Sequence, residues 1–157
     1  EIGEICVRSD SVMVGYWRDP QNTAKAIRDG WLRTADMAYM DEERYIFIVG
    51  RKNDMIKRGG EKIYPQEIEE VLFDHPAVLE AAVCGVADPD WGESPRAYIV
   101  LRPGYQVSDK DLLAYCLDRL PTFKCPQDVV FLPELPKTSS GKITRTGLQQ
   151  LNVSSSN

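Results

Sequence analysis

The lysine of Ser139-Ser140-Gly141-Lys142-Ile143 has the surroundings best suited to chemistry. Small residues and a glycine precede it, so its ammonium can be delivered to a developing negative charge. Attack of a carboxylate on the α-phosphorus of a nucleotide brings two anions together. An ammonium between them offsets the repulsion and stabilises charge building in the transition state. The segment is not a Walker loop, because Pro136 stands where that motif needs glycine and Ile143 where it needs Ser or Thr. On these residues alone, an ordinary exposed loop lysine remains the alternative.

Two upstream segments add candidates. In Arg33-Thr34-Ala35-Asp36 the carboxylate can accept hydrogen bonds from two vicinal ribose hydroxyls; otherwise it is a strand-end aspartate. Arg51, with five fixed donors, could grip the same ribose or a phosphate, or form a surface ion pair. Gly59-Gly60 permits positive φ and close approach of a ligand to backbone, or makes a plain hairpin turn. Lys57, Arg58 and Lys62 flank that turn and suit phosphates, or guard an edge strand.

Other reactive types are less suggestive. His75 is the sole histidine, precedes a proline and reads as a helix C-terminal cap; no Ser or Cys nucleophile motif accompanies it. Trp91-Gly92-Glu93 reads as a loop anchored by its tryptophan. Cys6, Cys84, Cys116 and Cys125 lack zinc-site spacing, so no metal site is expected; they read as free thiols in a reducing compartment.

The elements that must position these residues follow from periodicity and breakers. Strands are expected at Glu4 to Arg8, Ser11 to Gly15, Trp31 to Tyr39 and Tyr45 to Val49, the last two forming a hairpin across residues 41–44. Asp19 and Pro20 start a helix running to Arg28. Short strands from Asp54 to Arg58 and Glu61 to Tyr64 flank the glycine pair. Pro65 opens a helix to Asp74 with Ile68, Val71 and Leu72 on one face, and His75-Pro76 stops it. Val78 to Ala87, Ala97 to Leu101 and Val129 to Leu132 are strands. Ser108 caps a helix to Leu120, with Asp111 in the capping-box position. Thr144 to Leu151 forms a terminal helix, followed by a frayed end from Val153 to Asn157. Strands and helices mix without a strict βαβ repeat, which predicts an α+β fold.

The 157 residues suffice for a core, and 43% hydrophobic with 27% charged residues is ordinary for a globular protein. A net charge of −5 excludes a global basic field for nucleic acid. No apolar run reaches the roughly 20 residues of a membrane span. The start, Glu1-Ile2-Gly3-Glu4, lacks Met and a signal peptide and reads as sequence from within a longer protein. Cytoplasmic location is the expectation from these features.

In order, Thr34-Ala35-Asp36, Gly50-Arg51…Lys57…Gly59-Gly60-Glu61-Lys62-Ile63 and Ser139-Ser140-Gly141-Lys142-Ile143 resemble the late motifs of the acyl-adenylate-forming enzymes. Gly15-Tyr16-Trp17, Pro65-Gln66-Glu67-Ile68-Glu69, His75-Pro76-Ala77-Val78 and Phe123-Lys124-Cys125-Pro126 fit the same family, so the resemblance covers almost the whole chain. It implies that residues 1–50 are the last strands of an N-terminal AMP-binding domain and that 51–157 are a mobile C-terminal domain. It implies an acyl-CoA synthetase acting on a fatty or aryl acid with ATP, Mg2+ and CoA. The magnesium and most of the substrate pocket would belong to the upstream domain, the chain's partner within the same protein, and the chain alone would be inactive.

By the same resemblance Lys142 serves adenylation, while Asp36, Arg51 and Lys57 bind ATP or AMP. Asn53 is the hinge, and Gly59, Gly60, Glu61 and Lys62 line the CoA pantetheine path. The family usually has glycine at the positions of Ala35 and Arg44, and Asp or Lys at that of Asn53. An adenylation domain loading a carrier protein, and a non-catalytic docking module, are the alternatives.

Overall fold

One strand organises each half of the chain. The computed structural model describes residues 1–154. They divide into two compact units, Glu1–Asn53 and the residues from Asp54 onward.

The first unit contains β1 (Gly3–Val7), α1 (Pro20–Ala26), β2 (Ile27–Arg28), β3 (Trp31–Met40) and β4 (Ile46–Arg51). All three other strands pair antiparallel with β3: β1 along Leu32 to Ala38, β2 at Trp31 and Leu32, β4 from Asp36 to Met40. Asp19 caps α1, its Oδ1 accepting the Asn22 N–H at 3.0 Å. The helix stops at Ala26, short of the expected Arg28, because Ile27 and Arg28 are drawn into the ladder. The expected strand from Ser11 to Gly15 does not form. Val14 is fully exposed, and the chain instead turns onto α1, where Thr23 Oγ1 accepts the Tyr16 N–H at 2.9 Å.

The second unit contains β5 (Ile56–Arg58), β6 (Glu61–Ile63), α2 (Pro65–Phe73), β7 (Val78–Asp88), β8 (Gly92–Leu101), α3 (Asp109–Leu117), β9 (Asp128–Phe131) and α4 (Arg145–Ser154). Its sheet runs β6-β5-β8-β7, with β9 added parallel to β8. Strand β8 begins five residues before the expected Ala97, since β7 pairs with it down to Gly92. Strand β5 starts only at Ile56, because Lys52–Asp54 take a 3-10 turn.

This sheet is covered on both faces, which explains why β7 and β8 read as continuous apolar runs. Ala81, Val83, Ala97 and Ile99 pack with Ile68 and Leu72 of α2 and Leu112 and Cys116 of α3. The alternate residues Ala82, Cys84, Tyr98 and Val100 pack with Leu135 and with Leu148 of α4. Full burial of each large side chain contributes about 1.5–3 kcal/mol, so the sheet with α2 and α3 is the stable body of this unit. Ser108 caps α3: its Oγ accepts the Asp111 N–H at 3.1 Å, and its hydroxyl, rather than the backbone N–H of the expected capping box, donates to Asp111 Oδ2 at 2.7 Å.

Three further expectations meet the structure here. His75 does not cap α2 with its side chain; its Nδ1 accepts the Ala77 N–H at 3.2 Å and its ring meets Tyr115 edge-on. Helix α4 includes Val153 and Ser154, where fraying was expected, and the other residues of that call lie outside those described. The cysteines are all free, with Cys84, Cys116 and Cys125 buried and Cys6 exposed. Among the described residues no helix is long and apolar enough to cross a membrane.

Candidate active site

In the first unit the sequence candidates gather at an irregularity in β3. Register with β1 shifts between Glu4 and Cys6, opposite Thr34 to Asp36. Ala35 sits there at φ 63, a left-handed conformation that non-glycine residues rarely adopt. The irregularity re-aims Asp36 at the point where β4 begins to pair. Asp36 lies directly opposite Arg51, whose Nε stands 3.1 Å from Asp36 Oδ1. Arg51 also donates to the Thr34 carbonyl at 3.4 Å. Both side chains of the ion pair remain accessible, Arg51 at 62% and Asp36 at 37%. They can therefore take a ligand without unfolding anything.

Glu4 supports this arrangement, and nothing in the sequence marked it. Its Oε1 accepts the Ala35 N–H at 3.2 Å, and its Oε2 accepts from Arg33 and, at 3.1 Å, from Lys52. The Arg33 hydrogen bond, aided by Lys52, holds the Glu4 carboxyl below its usual pKa. A signal that could have found it is an acid on a neighbouring strand opposite a cation-rich bend. A cleft of about 860 Å³ opens beside the bend, lined by Glu4, Trp17, Lys25, Ala35, Arg51 and Asn53 among others.

In the second unit, Gly59 (φ 56) and Gly60 (φ 92) form the two-residue turn between β5 and β6 that a type I′ hairpin requires. Gly59 is locked against Trp91. Its N–H donates to the Trp91 carbonyl at 2.9 Å, and a Cβ on Gly59 would stand 2.6 Å from the indole. Gly60 faces open space. Trp91 is held in turn by Asp88, whose Oδ1 accepts the Trp91 N–H at 3.0 Å. Lys57 and Lys62 are direct cross-strand partners, as are Arg58 and Glu61. Two exposed ammonium groups opposite each other repel, and a bound phosphate would relieve that repulsion.

Lys142 sits on a closed loop. Lys137 and Ile143 form an isolated bridge, the Thr138 N–H donates to the Lys142 carbonyl at 2.8 Å, and Gly141 turns the chain at φ 82. The side chain of Lys142 is exposed. The base of its loop is fixed on both sides: Lys137 pairs with Glu80 near the start of β7, and Arg145 pairs with Glu69 and Asp54.

These contacts separate the candidates within the second unit. The Gly59-Gly60 turn is held at the Asp88–Gly92 end of the β7–β8 hairpin, the Lys142 loop near Glu80. At about 3.3 Å per residue, Glu80 and Asp88 lie ~26 Å apart along β7.

Residues 67–142 match the family model of the AMP-binding enzyme C-terminal domain. The chain carries an AMP-binding enzyme C-terminal domain. The match ends on Lys142 and starts after the Gly59-Gly60 turn. Relatives extend the likeness along nearly the whole chain. Identity is 47% over 148 residues to a long-chain-fatty-acid–CoA ligase of Bacillus subtilis (strain 168), covering 94% of this chain and 26% of that protein. It is 42% over 151 residues to a 2-succinylbenzoate–CoA ligase of Geobacillus kaustophilus (strain HTA426), covering 96% and 31%. Among solved structures, the o-succinylbenzoate CoA synthetase MenE of Bacillus subtilis, in complex with the acyl-adenylate intermediate OSB-AMP, superposes with TM-score 0.90 at 41% identity. That match covers 95% of this chain and 30% of MenE. The chain thus spans less than a third of the length of these relatives.

Proposed function

We propose that the chain is the C-terminal part of an AMP-forming acid–thiol ligase that joins a fatty or aryl carboxylic acid to CoA. In the first half-reaction a carboxylate oxygen attacks the α-phosphorus of ATP, the acyl–phosphate bond forms, and pyrophosphate leaves. In the second, the thiol of CoA attacks the acyl carbon, the thioester bond forms, and AMP leaves as the thiol proton passes to solvent. Asp36 accepts hydrogen bonds from the ribose hydroxyls. Arg51 holds Asp36 in place and adds positive charge beside the nucleotide. Lys142 stabilises the charge developing during adenylation, and Lys57 meets nucleotide phosphate. The Gly59-Gly60 turn leaves room for the pantetheine arm, with Glu61 and Lys62 at its edge.

The observation that carries this reading is the separation of the Lys142 loop from the Gly59-Gly60 turn along the β7–β8 hairpin. One body holding two catalytic elements anchored at points ~26 Å apart along β7 suits a reaction in two steps, each end being presented in turn. Asn53, the last residue of the first unit, is then the hinge. No cluster of His, Cys, Asp and Glu suited to a metal ion occurs among the described residues. The family resemblance assigns the magnesium that accompanies ATP to the remainder of the parent protein, as it does the acid pocket, and the isolated chain is assigned no activity.

The test is AMP release by the intact parent protein, with ATP and a panel of fatty and aryl acids, with and without CoA. Acid-dependent AMP release that CoA stimulates is the expected result. Acid-dependent pyrophosphate exchange that ignores CoA would replace CoA with a carrier protein as the acceptor. No acid-dependent release or exchange at all would refute the ligase reading.

A further inference from the structure

The boundary between the two compact units falls between Asn53 and Asp54, and each side of it is tied down by an ion pair inside its own unit. On the first side, Lys52 Nζ stands 3.1 Å from Glu4 Oε2. On the second, Arg145 Nε stands 3.0 Å from Asp54 Oδ2. Asn53 lies between the two and has no such anchor among the described residues. We propose that the Glu4–Lys52 and Asp54–Arg145 pairs are clamps that confine bending of the chain to Asn53, and that each clamp connects this pivot to a catalytic element of its own unit.

The connection is physical on both sides. Glu4 also accepts the Ala35 N–H, so the carboxylate that anchors Lys52 is the one supporting the bend that presents Asp36. Arg145 follows the Lys142 loop by three positions and opens α4. Its guanidinium also reaches Glu69 of α2 at 2.8 Å and the Val83 carbonyl of β7. Arg145 thereby fixes the base of the Lys142 loop, the first residue of the second unit and the stable sheet body to one another. Glu4 is 12% exposed against 48% for Lys52, and Arg145 25% against 30% for Asp54, so each pair has one partner shielded from solvent. A chain clamped this way turns at one residue and carries Lys142 with the body, without slack. Glu4 and Arg145 are positioning residues in this scheme; neither touches substrate.

The inference rests on the ligase reading for its catalytic consequence, and its test separates the two. Lys52→Met and Asp54→Asn each remove one clamp while leaving Glu4 with Arg33 and Ala35, and Arg145 with Glu69 and Val83. In the full-length parent, two quantities are measured. The first is hydrogen exchange of the amides of residues 52–55, with β7 amides as control. The second is a comparison of CoA-dependent turnover with the isolated half-reactions, pyrophosphate exchange and thioester formation from supplied acyl-AMP. Each variant is expected to exchange about two- to fivefold faster at residues 52–55, with β7 unchanged. CoA-dependent turnover should fall at least threefold while each half-reaction stays within twofold, because only passage between them is impaired. Unchanged exchange at 52–55 would overturn the proposal. So would unchanged turnover, or half-reactions that fall as far as turnover does. Should the parent show no ligase activity, the exchange measurement alone decides whether the clamps exist, and the failure belongs to the ligase reading.

Discussion

Asp36 and Arg51 are direct partners across the β3–β4 ladder, with Arg51 Nε 3.1 Å from Asp36 Oδ1. Fifteen residues apart in sequence, they are brought together by a hairpin whose turn is held locally, with Asp41 Oδ1 accepting the Tyr45 N–H at 2.8 Å. The guanidinium orients the carboxylate and takes up one of its oxygens, leaving the other free to accept.

Removing the carboxylate should therefore weaken nucleotide binding more than removing its partner. Hydrogen bonds to a charged group contribute about 1.5–3 kcal/mol, so on the proposed reading Asp36→Ala in the full-length parent is expected to raise the KM for ATP roughly 10- to 150-fold. Arg51→Met removes an exposed pair worth about 1 kcal/mol or less, plus its charge beside the phosphate, and should cost less. Steady-state kinetics with varied ATP checks the order of the two.

Lys142→Ala should slow acyl-AMP formation by roughly two orders of magnitude or more and spare thioester formation from supplied acyl-AMP. Its ammonium is exposed on a loop closed by backbone contacts, so folding should be unaffected. Rapid-quench measurement of each half-reaction tests this; equal loss in both would remove Lys142 from its assigned role.

The two turn glycines should respond differently to a methyl group. Gly59→Ala meets both a left-handed backbone and the Trp91 ring at 2.6 Å, whereas Gly60→Ala meets only the backbone. Overpacking adds about 1–3 kcal/mol, so Gly59→Ala should be the less stable variant by about that amount in urea denaturation. A large side chain at Gly60, with open space around it, should fold and obstruct thioester formation selectively.

Arg44 occupies φ 68 at the end of the β3–β4 turn. A non-glycine residue pays about 1–2 kcal/mol there, partly offset by the greater freedom glycine has in the unfolded chain. Arg44→Gly is expected to stabilise by about 0.5–1 kcal/mol, seen as a higher denaturation midpoint with unchanged slope.

Burial pushes the Cys116 thiol up to about 11 from an ordinary value of 9.0, with Cys125 nearby adding to the shift. The unfolded thiol releases its proton first as pH rises. The stability from this group is therefore complete below pH 9 and is lost between pH 9 and about 11, by up to about 3 kcal/mol. Cys116→Ala should start lower, from the cavity it leaves, and then lose less over that interval. Denaturation midpoints at pH 8, 9 and 10 would show the difference in slope.

The sequence by itself determined the α+β class, most helix starts and the residues able to do chemistry, because those depend on near neighbours. Asp19, Pro65 and Ser108 announce helices through capping and fixed φ, and Gly59-Gly60 announces a turn through its freedom at positive φ. The motifs also point to an adenylate-forming enzyme without any coordinates, since their order is a property of the chain. Only tertiary structure decided what those residues touch. The strand expected at Ser11 to Gly15 gives way to a turn in which the Val12 N–H donates to the Ser9 carbonyl, and the early start of β8 came from its long pairing with β7. Glu4 and Arg145 carry no local signal: each acts through partners roughly 30 to 90 positions away, a distance over which periodicity and capping rules carry no information. The ~26 Å along β7 between Glu80 and Asp88, near which the Lys142 loop and the Gly59-Gly60 turn are anchored, is likewise set by the length of one β-ladder, which exists only once β7 and β8 have paired.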